Sequence, residues 1–368
     1  MIGEKGVTKM ESASVVKTKI TAEKSVSLCK GQHSLTLTVL FILLAGAVVI
    51  SLMLGRYYIP WRDMLLTVWA TLGGRAGAPA NFSTLQTVLF QVRLPRILGA
   101  VLIGAALAVS GSAYQGMFKN PMVSPNILGT AAGAGFGAAL GILLSLGIVG
   151  VQLLSFGCGL LAVGLTYFVA NRFDRSHNGT LVLVLAGMVI GTLFSSFISL
   201  TKYVADPYSK LPAITFWLMG SLASLNFKDI GLISIPIVMG AIPLFLLRWK
   251  LNVLSFGDEE ARALGVDTKR TRAIVIFCAT LMTAAAVSVS GMIGWVGLII
   301  PHLARMLVGP NYKVLLPTAI LIGGIYLLAV DDLARNLFAM EIPLGILTAI
   351  LGAPFFVYLL LKGKKGWV

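Results

Sequence analysis

Eight stretches of this chain, about 34–54, 95–116, 148–171, 179–201, 229–249, 272–290, 313–330 and 344–361, each run for roughly twenty mainly apolar residues. A helix rises about 1.5 Å per residue and a bilayer's hydrocarbon core is about 30 Å thick, so each stretch is long enough to cross. Two further stretches are weaker: 124–143 is rich in glycine, and 293–307 is short and ends in Pro301, His302 and Arg305. With both included the count is ten. The rest of the composition agrees, because 57% of residues are apolar and 12% charged, against about 25% charged in a soluble domain. No segment has the mixed polarity of a separate soluble domain. The expectation is an all-α polytopic membrane protein with about ten transmembrane helices. It has a polar cytoplasmic tail over 1–33, one transmembrane domain over 34–361 and a basic cytoplasmic tail over 362–368. A cleaved signal peptide would be shorter and would end in small residues, so the first apolar run reads as a retained span.

Charge placement orients the spans. With the N-terminus inside, the outer segments carry Arg56, Arg62, Arg75, Arg93, Arg96, Lys202, Lys210, Lys228 and Arg335, and the other 20 of the 29 Lys and Arg residues lie inside. That bias follows the positive-inside rule and favours an even count with both termini cytoplasmic. The net charge of +15 comes from short clusters between apolar runs, which suits anionic lipid and not nucleic acid. Cys158 and Cys278 fall inside apolar runs and no CxxC spacing occurs, so they read as small buried residues. Trp61 and Trp69, with Arg62 and Asp63, point to an external amphipathic helix over 58–72.

The breaks between spans are more informative than the spans. Gly129, Gly133, Gly137 and Gly141 recur every four residues, giving a helix face nearly free of side chains that a neighbouring backbone can approach. Its reading is packing inside the bundle, with lining of a pathway as the alternative. Lys119 to Asn126 holds Asn120, Pro121 and Pro125, and reads as a structured turn. Gly257 to Gly265 reads as a short helix with Asp258, Glu259 and Glu260 in its first turn and Gly265 as terminator. Ala261, Leu264 and Val266 give it an apolar face that either folds back on the bundle or meets a cytoplasmic partner. Arg93-Leu94-Pro95-Arg96 opens the second span, with Pro95 suited to a first helical turn. Arg93 and Arg96, with Arg335, could reach lipid phosphates or dock an acidic partner. Asp331 and Asp332 are read as interfacial helix caps. His302 lacks the Ser, His and Asp companions or the metal-ligand spacing of a catalytic centre, and there is no GxxxxGK[ST] loop, so no enzyme activity and no ATP hydrolysis by that route are expected.

Taken in order, these segments resemble the permease family of bacterial ATP-binding-cassette importers for iron-siderophore, haem and vitamin B12. The resemblance runs from about Arg93 to Leu361. It rests on Arg93-Leu94-Pro95-Arg96, on Gly104 to Gly111 with Gln115, on Asn120-Pro121 and Pro125, and on Gly257 to Gly265. Gly294 to His302 and Pro343-Leu344-Gly345 to Pro354 complete the set. It implies a vitamin B12 importer permease-like fold in the bacterial cytoplasmic membrane. The implied assembly is a homodimer, or a heterodimer with a related permease, above two cytoplasmic ATPase subunits, with an extracytoplasmic substrate-binding protein delivering the cargo. The chain itself would bind no cofactor, ATP and Mg being held by the ATPases. Gly257, Asp258, Glu259, Glu260, Ala261, Arg262, Leu264 and Gly265 match the helix that couples to the ATPase. Arg93, Arg96 and Arg335 match arginines that face acidic residues of the binding protein. Gly104, Gly111, Gln115, Asn120, Pro121, Gly129, Gly133, Gly137, Trp217, Gly220, Pro301, His302, Pro343 and Gly345 are expected in the pathway or in helix packing. The implied activity is ATP-driven import of an iron chelate, siderophore or haem, with cobalamin, an oxyanion or a proton-coupled secondary transporter as alternatives.

Overall fold

A computed structural model describes residues 32–73, 79, 81–173 and 179–362, so the polar tail up to residue 31 and the last six residues of the basic tail lie outside it. The described residues are helical, without strands. They form α1 (Gln32–Met53), α2 (Trp61–Thr71), α3 (Phe82–Gln86), a π-helical segment (Thr87–Arg93), α4 (Leu94–Met117), α5 (Thr130–Leu143) and α6 (Ile148–Phe173). There follow α7 (Gly179–Val204), α8 (Lys210–Met219), α9 (Phe227–Leu246), α10 (Arg248–Leu254) and α11 (Asp258–Ala263). The last four are α12 (Thr268–Ser290), α13 (Val296–Val308), α14 (Tyr312–Asn336) and α15 (Leu344–Lys362). Seven helices are long and apolar enough to cross a membrane, counting α3 to α4 as one, and α5, α13 and α15 add shorter apolar segments.

Three expectations change. Pro95 does not open a helix: α3, the π-helical segment and α4 run on without a break from Phe82 to Met117. Proline has no amide for the carbonyl four residues back and its ring crowds that carbonyl, and the wider π turn just before it makes room. The weak span expected from residue 124 starts only at Thr130. The residues before it are turns, leaving a helix of 14 residues, about 21 Å long. The span expected to end at 330 continues to Asn336, which puts Asp331 and Asp332 inside a helix and not at its cap.

The bundle is organised round α4, whose 24 residues span about 36 Å. Residues Ala106 to Met117 are buried without exception, against α9, α12, α13 and α14. Three glycine contacts set the spacing. A Cβ on Gly104 would strike the Gly323 carbonyl oxygen of α14, one on Gly111 would strike the Gly297 oxygen of α13, and one on Gly116 would strike the Tyr312 hydroxyl. The glycine face of α5 is used the same way against α6: a Cβ at Gly133 would lie 2.5 Å from the Cys158 oxygen, and one at Gly137 would strike that of Leu154. Without water, helix association has no hydrophobic drive and rests on such close packing.

Gly111→Ala therefore adds a methyl group where a backbone carbonyl sits and should cost about 1–3 kcal/mol, the usual range for overpacking. Gly157→Ala, with nothing within 4 Å, should be neutral or slightly stabilising. Thermal unfolding of the two purified variants in detergent checks this, and equal midpoints would contradict it.

Candidate functional site

Charged side chains gather at the two ends of α4. At its N-terminal end, Asp331 of α14 is fully buried and takes a forked pair of hydrogen bonds from Arg96, from Nε at 2.9 Å and from Nη2 at 2.9 Å. Arg335 Nε lies 3.5 Å from the other side of the same carboxylate, and Arg96 Nη1 reaches Glu341 at 3.0 Å. Arg335 also pairs with Asp332 and donates to the Ser51 hydroxyl at 2.7 Å, while Ser51 donates to Asp332 at 2.7 Å. Arg93 donates to the carbonyls of Leu52 and Tyr57. Two arginines thus meet three carboxylates and a third holds two carbonyls, tying the end of α1 to α4, α14 and the segment before α15. The three arginines were expected to offer charge to a partner. They are instead only 3%, 6% and 6% exposed, with their guanidinium groups turned inward. For Arg96 the sequence could not show this, since the acids that hold it are more than 230 residues away in the chain.

The other end of α4 faces α10 and α11. Gly257 caps α11 at φ 144°, Asp258, Glu259 and Glu260 occupy its first turn, and Gly265 at φ 77° ends it. The apolar face is divided. Ala261 and Val266 are buried against Val253 and Leu254 of α10, whereas Leu264 and Phe256 are 59% and 72% exposed. Asp258 pairs with Arg272 of α12 at 2.7 Å, and Arg262 points from the exposed side toward Thr268. Asn252 of α10 accepts from the Tyr312 amide at 2.8 Å, which joins this end to the start of α14. A cavity of about 580 Å³ separates α11 from α7, with Lys119, Thr180, Val184, Glu259 and Arg272 among its walls.

Between the two ends, three chain breaks meet. Leu344 donates its amide to the Gly220 carbonyl at 2.9 Å, and Ser221 donates to that of Ser290 at 2.9 Å. Gly291 (φ 69°) lies against the Trp217 carbonyl, where a Cβ would collide, and a Cβ on Gly345 would lie 2.6 Å from the Met219 oxygen and 2.9 Å from that of Met292. Pro343 opens the turn into α15. Trp295, at φ 68°, heads α13 and meets Phe356 of α15 edge to face at 6.3 Å. Pro301 is buried midway along α13 and His302 is partly buried beside it. Gln115 donates to the carbonyls of Val123 and Leu298 at 3.3 and 3.1 Å, and Asn120 caps the turn at Pro121 by accepting from the Met122 amide at 2.9 Å. Gly129 enters α5 at φ 86° beside Gly191 of α7.

The model of the FecCD transport family matches residues 42–362. The chain belongs to the FecCD transport family. Among its relatives, the molybdate import system permease protein MolB of Haemophilus influenzae is 44% identical, over 89% of this chain and 95% of that protein. The cobalamin import system permease protein BtuC of Halobacterium salinarum is 40% identical over 79% of each. A solved structure described as an inward-facing conformation of a metal-chelate type ABC transporter superposes with a TM-score of 0.79, at 41% identity over 89% of this chain and 98% of that one. This FecCD chain is therefore a multi-pass ABC transporter permease with the fold of that transporter.

The sequence reading placed Lys119 in a turn and Asp331 at a helix cap without giving either a site, and it passed over Ser51, Gly291 and Gly323. A carboxylate pair i, i+1 followed by arginine at i+4 was the available signal for the buried network. Removing the charge of Asp331 leaves two buried arginines without their shared anion, so Asp331→Asn should cost about 3–5 kcal/mol. Glu341→Gln, at a partly exposed pair, should cost about 0–1 kcal/mol. A thiol dye reporting on Cys278, 3% exposed when folded, reads both midpoints, and the order of the two losses is the test.

Proposed function

We propose that this FecCD permease is the membrane subunit of an ATP-driven importer in the cytoplasmic membrane, crossing it ten times with both termini inside. Two copies, or this chain with a related permease, stand over two ATPases that bind ATP and Mg. A binding protein delivers cargo from outside. The observation that carries the reading is the divided face of α11. Half of it is anchored on α10, while Leu264, Phe256 and the acidic first turn stand out where a cytoplasmic partner would cover them. Exposed Leu264 and Phe256 supply apolar area, and Glu259 and Glu260 supply charge that selects a basic groove.

Leu264→Asp combined with Glu259→Lys should sharply reduce copurification of the ATPase while leaving the permease's own thermal midpoint unchanged, because neither side chain is buried. Full recovery of ATPase with that variant would remove α11 from the coupling role.

For the binding protein we assign the α4 N-terminal end. Arg93, Arg96 and Arg335 act there from below, holding Tyr57 and Glu341 in place, and exposed Arg56 and Lys228 present the charge. The cargo we infer is an iron chelate, siderophore or haem. The outward row Thr192, Ser195, Ser196 and Ser199 of α7 supports a weakly polar path, since each hydroxyl is already donated to its own helix at 2.8–3.1 Å. A chelate that wraps its metal asks no more of the wall. The kinship with a molybdate permease favours an oxyanion as the second reading.

Proteoliposomes carrying permease, ATPase and binding protein decide among these. Uptake of a radiolabelled ferric siderophore should require ATP, should not run on a pH gradient alone, and should fall with Arg56→Glu plus Lys228→Glu more steeply at low salt than at high. Uptake of molybdate in preference would transfer the cargo to the second reading, and uptake without ATPase would overturn the class.

A further inference from the structure

The coupling helix has a second attachment, to the turn that leads into α5. Lys119 lies just past Phe118, the cap of α4, in a left-handed conformation (φ 51°) that a residue with a Cβ adopts at a cost. Its ammonium donates to the Phe256 carbonyl at 3.1 Å, across 137 residues of sequence, at the last residue before Gly257 and α11. Gly257 lies between the tips of Glu260 and Lys119: a Cβ there would strike Glu260 Oε2 and come within 3.1 Å of Lys119 Nζ. On the other flank Arg272 holds Asp258. The segment 118–129 is stiff in its own right. Gln115 braces it through Val123 to Leu298, the Asn120 amide returns to the Gln115 carbonyl at 3.1 Å, and Val123 and Leu128 are buried. This segment ends at Gly129, where α5 begins.

We propose that Lys119 is a positioning residue that latches the 118–129 segment to the coupling helix. Displacement of α11 by the ATPases then moves the entrance of α5 with it. The inference rests on the coupling role assigned to α11. The cavity of about 580 Å³ between α11 and α7 leaves room on that side for α11 and Lys119 to move together. Asp258 and Arg272 would keep the movement in register with α12, so that one input reaches two transmembrane elements. Lys119 is exposed and its hydrogen bond lies at the surface, so its removal should leave the fold and the ATPase contact in place.

The test uses the whole permease–ATPase complex with Cys29, Cys158 and Cys278 replaced by alanine. Nitroxide labels go at Met122→Cys and Ala263→Cys, both exposed positions, the second on α11 but outside the residues assigned to the ATPase contact, and a reference label goes at Leu146→Cys beyond the far end of α5. Between nucleotide-free and ATP–vanadate-trapped complexes, the 263–146 distance should shift and the 122–263 distance should not. With Lys119→Gln the 122–263 distance should shift by more than the width of its distribution, and Lys119→Arg, which keeps the donor, should restore the unshifted state. A 263–146 distance that never moves overturns the coupling role and the latch with it. A moving 263–146 distance with a shifting 122–263 distance in the unsubstituted chain, or no shift in Lys119→Gln, overturns the latch alone.

Discussion

Where α4 crosses α14, Gly104 and Gly323 bring the two backbones so near that a methyl group on either would meet the other's carbonyl. A methyl group on Gly111 of α4 would likewise meet the Gly297 carbonyl of α13, and one on Gly297 would meet the Pro125 ring and the Leu107 carbonyl. In hydrocarbon, apolar side chains gain nothing by leaving lipid for protein, so helices stay together through dispersion contacts and backbone approach. Three glycines on one helix let it sit at the centre of the bundle with helices on several sides. Its ends are thereby held at fixed separation, and both ends are where charge is concentrated.

At the end of α4 that carries Arg96, the fold buries three arginines with Asp331 and sets Asp332 and the more exposed Glu341 at their edge. Each charge alone would be costly to bury, and the set is tolerable because it is neutral and each arginine finds an acid or a carbonyl. The forked contact between Arg96 and Asp331 also fixes direction, since a guanidinium satisfies both carboxylate oxygens in only one plane. This explains why α14 stays helical six residues past its apolar stretch. The turn that would have been capped by Asp331 is instead pulled along α4 by Arg96, which then brings Arg335 under Ser51 and so anchors α1.

The long apolar runs, their order and the short acidic helix at Asp258 were legible because each is a local pattern: hydrophobic length, or an acidic turn followed by glycine. The late start of α5 was not, because 124–129 carries no charge and leads straight into the glycine-rich run, and only the turns imposed by Pro121 and Pro125 and by left-handed Gly129 exclude it. The burial of Arg93, Arg96 and Arg335 was not legible for a different reason. Arginine at a span mouth has the same local appearance whether it meets solvent, lipid phosphate or an acid brought in from another helix. Likewise the spacing of Gly129, Gly133 and Gly137 announces close approach but cannot name α6 as the helix approached.

A transport path through such a bundle needs joints as well as a frame, and the joints have their own accounting of backbone groups. The ends of α8 and α12 and the start of α15 leave helix at the same place, and each break supplies what another lacks: the Leu344 amide goes to the Gly220 carbonyl, and the Ser221 amide to that of Ser290. Irregular backbone survives at membrane depth only when protein satisfies it in this way. Because those bonds run between elements and not within one, rotating one element strains the other two, so the junction has few low-energy arrangements. Trp295, left-handed and wedged on Gly352 and Phe356, reduces that number further by coupling α13 to α15 through packing alone. A frame with fixed ends, an input helix at one of them and a junction with few states between is the combination from which discrete inward and outward conformations arise, instead of a continuum.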